Sequence, residues 1–218
     1  MNCRSSQRGT TILEPTSTTP PTPAIGPQPE CSPPTRLCPH PENWRMYDGE
    51  TAELEVLAFL GSMVRLLKPS IVVETGSAYG YSALNMGQVL RLNADRYNSP
   101  GHLFSYEADP VRAREAMGRC EGLPVSILNC HTLEPEPITW GVGPIDLLYL
   151  DSDLGARVRE LKLFRENLSP RHVILLHDTG ETHASPRQQL EEYRAEHQLQ
   201  VVNLATPRGL SILQFPKL

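Results

Sequence analysis

Short apolar runs alternate with longer amphipathic segments from residue 44 to the end of the chain. The runs are rich in Val, Ile and Leu and are bounded by turn-forming or acidic residues, which is typical of buried strands. Segments with apolar positions three or four residues apart predict helices between them. The pattern predicts strands within 71–74, 102–110, 123–132, 144–153 and 173–179, a terminal hairpin over 199–215, and helices at 52–67, 81–92, 111–120, 156–167 and 186–197. Such alternation favours an α/β fold with a largely parallel sheet.

The most informative stretch is residues 71–84. An apolar, β-branched run ends at Glu74, and Gly76 and Gly80 follow before a helix begins. In a doubly wound sheet this turn lies at the carboxyl end of a strand, where ligands bind. A dinucleotide-binding turn would have the pattern Gly-x-Gly-x-x-Gly, but here the middle glycine is missing and the bulky Tyr79 stands inside the turn.

The composition of the chain argues against several classes of protein. The chain has 218 residues and a net charge of −5, which suits one α/β domain with appendages. No basic stripe is present, so we expect no nucleic-acid partner. No apolar run reaches the ~20 residues that a membrane span needs, and no signal peptide is expected. Five cysteines without Cys-x-x-Cys spacing indicate reduced thiols in a cytoplasmic protein.

The first part of the chain differs from the rest. Residues 1–40 are rich in Pro, Thr and Ser and contain very few large apolar side chains. Such a segment cannot bury enough surface to offset its ordering entropy, so it is predicted to be a disordered tail. The folded domain is predicted to cover 41–218.

Two sets of motifs resemble a known family. The Glu-x-Gly-x-x-x-Gly pattern at 74–80 resembles the first motif of class I S-adenosylmethionine (SAM) methyltransferases. Asp-Ser-Asp at 151–153 and His-Asp-Thr at 177–179 are similar to the ends of the fourth and fifth strands of catechol-O-methyltransferase-like, small-molecule O-methyltransferases. The resemblance covers 44–218. It implies a Rossmann-like, seven-stranded, mostly parallel sheet with helices on both faces and an antiparallel C-terminal hairpin.

The resemblance also implies a cofactor site for SAM, with S-adenosylhomocysteine (SAH) as the product. Glu107, at the tip of the second strand, can accept hydrogen bonds from both ribose hydroxyls through its two carboxylate oxygens. His131 stands on the loop expected to pack on the adenine, at a position where Asp is common in the family. The full predicted cofactor-binding set is Glu74, Gly76, Ser77, Tyr79, Gly80, Ser82, Glu107, Ala108, His131 and Asp151.

The catalytic chemistry has two alternatives. In the catechol-type enzymes strand-end carboxylates hold Mg²⁺, and carried over to this chain the ligands would be Asp151, Asp178 and Thr179. Thr179 is a weaker ligand than the family's Asn, and Leu154 replaces a frequent lysine, so the metal requirement stays open. Without a metal, His177 becomes the expected general base, oriented by Asp178. The predicted catalytic residues are therefore His177, Asp178 and Asp151.

The predicted activity is methyl transfer to a hydroxyl of a small-molecule acceptor, such as a specialised metabolite. N-methylation, a non-catalytic SAM-binding protein and an NAD(P)-dependent oxidoreductase are the alternatives. The oxidoreductase is disfavoured because the glycine fingerprint is incomplete and a Tyr-x-x-x-Lys pair is lacking. A homodimer is left open.

Overall fold

The computed structural model describes residues 45–133, 143–181 and 183–216. The predicted tail at 1–40 lies outside the described residues. Among those described, no helix combines the length and apolarity required to cross a bilayer.

Helices and strands alternate through most of the chain, as the hydrophobic pattern predicts. The helices are α1 (Leu54–Leu67), α2 (Tyr81–Tyr97), α3 (Pro110–Arg119), α4 (Arg157–Phe164) and α5 (Ala184–His197). The strands are β1 (Ile71–Thr75), β2 (His102–Glu107), β3 (Val125–Asn129), β4 (Ile145–Leu150), β5 (Leu168–His177), β6 (Gln200–Leu204) and β7 (Leu210–Gln214).

All seven strands form one sheet in the order β3-β2-β1-β4-β5-β7-β6. Strands β1 to β5 pair in parallel, whereas β7 runs antiparallel to both β5 and β6. This confirms the predicted seven-stranded, mostly parallel sheet with its antiparallel C-terminal hairpin. The strand order reverses between β1 and β4, where Thr75 is in register with Leu150. The carboxyl ends of these two strands therefore flank the crevice in which doubly wound sheets bind ligands.

The sheet has a hydrophobic core on each face. Val72 of β1 is fully buried in one core with residues of α1, α2 and α3, whereas Val73 is buried in the other core with residues of α4 and α5. Successive side chains of a strand point to opposite faces, so an apolar run buried on both faces needs helices on both sides. The prediction of helices on both faces is confirmed.

Some element boundaries differ from the predictions. Helix α2 continues to Tyr97 because Asn98 in the left-handed conformation ends it, with its backbone N–H donating to Ala94. Helix α5 begins at Ala184, two residues before its predicted start at 186. Ser185 lies inside the helix, and His183 occupies the cap position without a side-chain cap bond.

Candidate active site

The turn after β1 packs directly against the end of β4. Gly76 has φ +78°, and a Cβ built there would lie 2.4 Å from the carbonyl oxygen of Asp151. Gly80, at φ +83°, caps α2, and a Cβ there would lie 2.8 Å from Ala116 of α3. Glycine is required at both positions because a side chain would meet backbone or another helix. The turn is thereby held close to the strand ends.

A cavity of about 400 Å³ opens between this turn and the ends of β2 and β4. Its volume lies in the ~300–1,000 Å³ range typical of small-molecule sites. The predicted cofactor residues among its lining are Gly76, Glu107, Ala108, His131 and Asp151. The structure thus brings together residues from the ends of four strands, β1 to β4.

Glu107 is held at the end of β2 with its carboxylate in the cavity wall. Its Oε2 accepts a hydrogen bond from the backbone N–H of Ala78 at 2.7 Å, and its Oε1 accepts one from Asp109 at 2.9 Å. The side chain is buried but lines the cavity. Each carboxylate oxygen can accept more than one hydrogen bond, so both keep capacity for a ligand.

The remaining predicted cofactor residues belong to β1, the turn or the start of α2 and do not line the cavity. Glu74 is fully buried, and its Oε2 accepts a hydrogen bond from the hydroxyl of Ser105 on β2. Burial is the main cause that raises the pKa of Glu74 to about 7. Glu74 therefore does not line the cavity, and its contact with a cofactor stays a prediction.

Four neighbours of Glu74 in the predicted set also lie outside the cavity wall. Ser77 and Ser82 are buried, and Gly80 is the N-cap residue of α2. Tyr79 is half-buried, its carbonyl accepts a hydrogen bond from the Arg119 side chain at 2.8 Å, and the Arg112 guanidinium lies over its ring. These residues shape the turn rather than the cavity wall.

His177, at the end of β5, is fully buried between two carboxylates. Its Nε2 lies 2.8 Å from Oε2 of Glu53, and its Nδ1 lies 3.0 Å from Oδ1 of Asp151. Burial alone would lower the pKa of His177, but the charge and hydrogen bond of Asp151, the hydrogen bond of Glu53 and the charge of Asp178 raise it to about 9. The ring is therefore an imidazolium at neutral pH, with both N–H groups donated to carboxylates. This corrects the prediction of a general base, since a base must accept a proton.

Asp178 follows His177 in a left-handed conformation, with φ +57°. The Arg208 guanidinium binds its carboxylate through two nitrogens, at 2.6 and 2.9 Å, and Nη2 of Arg157 lies 2.8 Å from Oδ2. Burial opposes ionisation of Asp178, but His177, Arg157 and Arg208 together hold its pKa well below the usual range. Both oxygens of Asp178 are thus paired with guanidinium groups, which favours its ionised form.

Six side chains form one connected charged cluster beneath the cavity. Nη2 of Arg157 also lies 3.1 Å from Oδ1 of Asp151, which links the groups around His177 to those around Asp178. The cluster contains three carboxylates and three cations: Glu53, Asp151, Asp178, His177, Arg157 and Arg208. Its formal charge balances, as a buried group of charges requires.

The predicted metal ligands already have other partners in this geometry. Asp151, His177 and Asp178 have potential ligand atoms within 4.8 Å of one another. However, the ring of His177 donates rather than accepts, and both oxygens of Asp178 already bind guanidinium groups. The hydroxyl of Thr179 accepts a hydrogen bond from Ser211 at 2.7 Å. The residues therefore do not fit a divalent metal, which corrects the predicted ligand set.

The sequence motifs missed four residues of the site. Glu53 and Arg208 belong to a helix start and a hairpin turn, where charged side chains usually face solvent. Arg157 is the first residue of α4. Glu160, one turn further on, is buried and accepts hydrogen bonds from the hydroxyls of Thr75, Ser152 and Thr132. Nothing in their local sequence marks these residues as buried.

A known protein-family model matches part of the chain. Residues 73–179 match the model of a family described as a methyltransferase domain. No protein of curated function matches the sequence.

Solved methyltransferases share the fold. The O-methyltransferase TomG from Streptomyces achromogenes, involved in tomaymycin synthesis and solved with SAM, is 15% identical with a TM-score of 0.64. That alignment covers 76% of this chain and 82% of TomG. An O-methyltransferase from Bacillus cereus in complex with SAH is 14% identical with a TM-score of 0.64, over 78% of this chain and 84% of that one. The SAH-bound methyltransferase PaMTH1 from Podospora anserina is 17% identical with a TM-score of 0.60, over 77% and 80%.

Proposed function

We propose that this chain transfers a methyl group from SAM to a hydroxyl of a small-molecule acceptor, because residues 73–179 match a methyltransferase domain and SAM- and SAH-bound O-methyltransferases share its fold. In this reaction the bond between sulfur and the methyl carbon breaks, a bond between the acceptor oxygen and that carbon forms, and the hydroxyl proton is released. SAH is the second product.

The observation that carries the proposal is the way the backbone N–H groups of the β1 turn are used. Gly76 and Ser77 both donate to the carbonyl of Tyr106, at 2.9 and 3.0 Å, and Ala78 donates to Glu107. A dinucleotide site leaves such N–H groups free to bind a pyrophosphate. Here three successive donors are satisfied within the protein. This supports a nucleoside ligand without phosphate, such as SAM, over NAD(P).

The cavity offers a matching partner for each end of that ligand. We assign the ribose hydroxyls to Glu107, whose carboxylate is held in place by two backbone N–H groups. His131, on the loop after β3, lines the part of the cavity assigned to the adenine. Asp151 lines the opposite end beside Gly76, near which we assign the methionine arm and the reacting methyl group.

The protein's own contribution to the reaction is positional in this proposal. The sulfonium of SAM is already an activated donor, so catalysis consists mainly of aligning the acceptor oxygen with the methyl carbon and sulfur. Asp151 receives hydrogen bonds from the hydroxyl of Tyr149 at 2.8 Å and from His177. We assign His177 and Asp178 to positioning roles, because they act on the cavity through Asp151 and Arg157.

Titration calorimetry with SAM, SAH and NAD tests the cofactor. We expect SAM and SAH to bind and NAD not to bind. Absence of binding by both SAM and SAH, or binding of NAD in their place, would contradict the proposal.

The acceptor is tested with SAM carrying an isotopically labelled methyl group. Incubation with panels of phenols, aliphatic alcohols and amines, followed by mass spectrometry, is expected to show the labelled methyl on hydroxyl compounds. The O-methyltransferase TomG takes part in tomaymycin synthesis, so specialised metabolites form the first panel. Label found only on amines would replace O-methylation by N-methylation.

A further inference from the structure

We infer that the methyl-transfer site operates without a divalent metal, because the guanidinium of Arg157 stands between the Asp151 and Asp178 carboxylates, where a bridging cation would bind. The inference rests on the proposed function for the reaction itself. Its metal-binding test, however, needs neither turnover nor an acceptor.

Arg157 bridges the two carboxylates through a single nitrogen. Its Nη2 lies 3.1 Å from Oδ1 of Asp151 and 2.8 Å from Oδ2 of Asp178. A magnesium ion shared by the same two oxygens would need to lie ~2.0–2.1 Å from each, in a space that Nη2 already fills. The guanidinium and a metal ion are therefore mutually exclusive at this position.

The rest of the guanidinium is fixed as firmly as the bridging nitrogen. Nε donates to the carbonyl of Ser152 at 2.8 Å, and Nη1 donates to the carbonyl of His177 at 2.5 Å. The side chain of Arg157 is only 4% exposed. Its planar group is thus held at four acceptors and cannot swing aside without leaving buried polar groups unpaired.

The guanidinium of Arg208 is a second cation bound to Asp178 where a metal ion would otherwise bind. Arg208 binds both oxygens of Asp178, and its Nη1 donates to the carbonyl of Thr51 at 3.1 Å. Arginine stays protonated at all physiological pH values, so neither cation can be removed by titration to admit a metal. The formal charges of the cluster already sum to zero. A divalent cation placed among these groups would be repelled by the neighbouring cations and would find no free ligand atoms.

The inference predicts what happens when Arg157 is removed. In Arg157→Ala the cluster has three carboxylates but two cations, and an open position appears between two of the carboxylates. Oxygen ligands around an open position with excess negative charge suit Mn²⁺ or Mg²⁺. The variant should therefore gain the metal affinity that the wild-type protein lacks.

The experiment measures Mn²⁺ binding by electron paramagnetic resonance, with and without SAH, in wild-type protein, Arg157→Ala and Arg112→Ala. Arg112 is a matched control because it lines the same cavity but pairs with the exposed Glu50. We expect no Mn²⁺ bound by wild type or Arg112→Ala, and about one ion per chain bound by Arg157→Ala. Mn²⁺ should also raise the Tm of Arg157→Ala by several degrees while leaving that of wild type unchanged.

Two results would overturn the inference. One is Mn²⁺ binding by the wild-type protein that Asp151→Asn abolishes, and the other is a folded Arg157→Ala variant with no more bound Mn²⁺ than wild type. Should Arg157→Ala fail to fold, the wild-type measurement decides alone, together with SAH affinity before and after treatment with EDTA, which is expected to be unchanged. Failure to bind SAH at all contradicts the proposed function but leaves the Mn²⁺ result to be judged separately.

Discussion

The pH dependence of stability tests whether His177 is a buried imidazolium. Against the effect of burial, Asp151, Glu53 and Asp178 raise its pKa from the ordinary 6.5 to about 9. One pKa unit corresponds to about 1.4 kcal/mol, so the shift contributes on the order of 3 kcal/mol to the free energy of unfolding. Because the folded-state pKa is the higher one, this contribution is complete below pH 6.5, declines between pH 6.5 and 9, and is absent above that range.

The perturbation is His177→Asn, which removes the cation and leaves the buried Glu53 and the partly buried Asp151 facing a neutral side chain. Removing one partner of a buried ion pair typically costs about 3–5 kcal/mol. We therefore expect the variant to be less stable than wild type by roughly this amount at the acidic end of the range. Since the residue that titrates is gone, the variant should also lose less stability than wild type as pH rises.

Urea denaturation followed by circular dichroism, at a series of pH values from 6 to 10, measures both effects. His172→Asn is the matched control, since His172 is also a buried histidine of β5 but bonds to the carbonyl of Ser169 and the N–H of Phe215, outside the charged cluster. The control is expected to keep the wild-type slope. If wild type and His177→Asn lose stability in parallel between pH 6.5 and 9, His177 is not an imidazolium and the reasoning fails.

Three further predictions concern the cavity and the core. Gly76→Ala is expected to abolish SAH binding and lower the Tm, because its Cβ would lie 2.4 Å from the carbonyl oxygen of Asp151; normal calorimetric binding would contradict this. Glu107→Gln is expected to weaken SAH binding by roughly tenfold or more, since hydrogen bonds to a charged acceptor are lost, whereas the exposed Glu115→Gln should bind as wild type. Cys120 is buried, which raises its pKa to about 12. Peptide mapping after iodoacetamide treatment should therefore find it alkylated only after unfolding.

The sequence alone determined the sheet and the edge at which the site lies. The β-branched run ending at Glu74 and the two glycines after it predicted the first strand, turn and helix. Alternation of apolar runs with amphipathic segments then predicted the remaining units. These signals are local, because the burial of a strand or a helix face is recorded in residues two to four positions apart. Glu107 and Asp151 could be placed for the same reason, since each stands near the carboxyl end of a predicted strand.

Only the tertiary structure decided what the charged residues do. His177 bonds to Glu53, 124 positions away, and Glu53 accepts a hydrogen bond from the N–H of Arg208, 155 positions away. A short motif around His177 and Asp178 cannot reveal such partners, and without them it suggested a base and a metal ligand. The energy of a buried charge depends on all the groups that surround it in space. The sequence therefore determined where the carboxylates stand, and the fold determined that arginines and an imidazolium neutralise them.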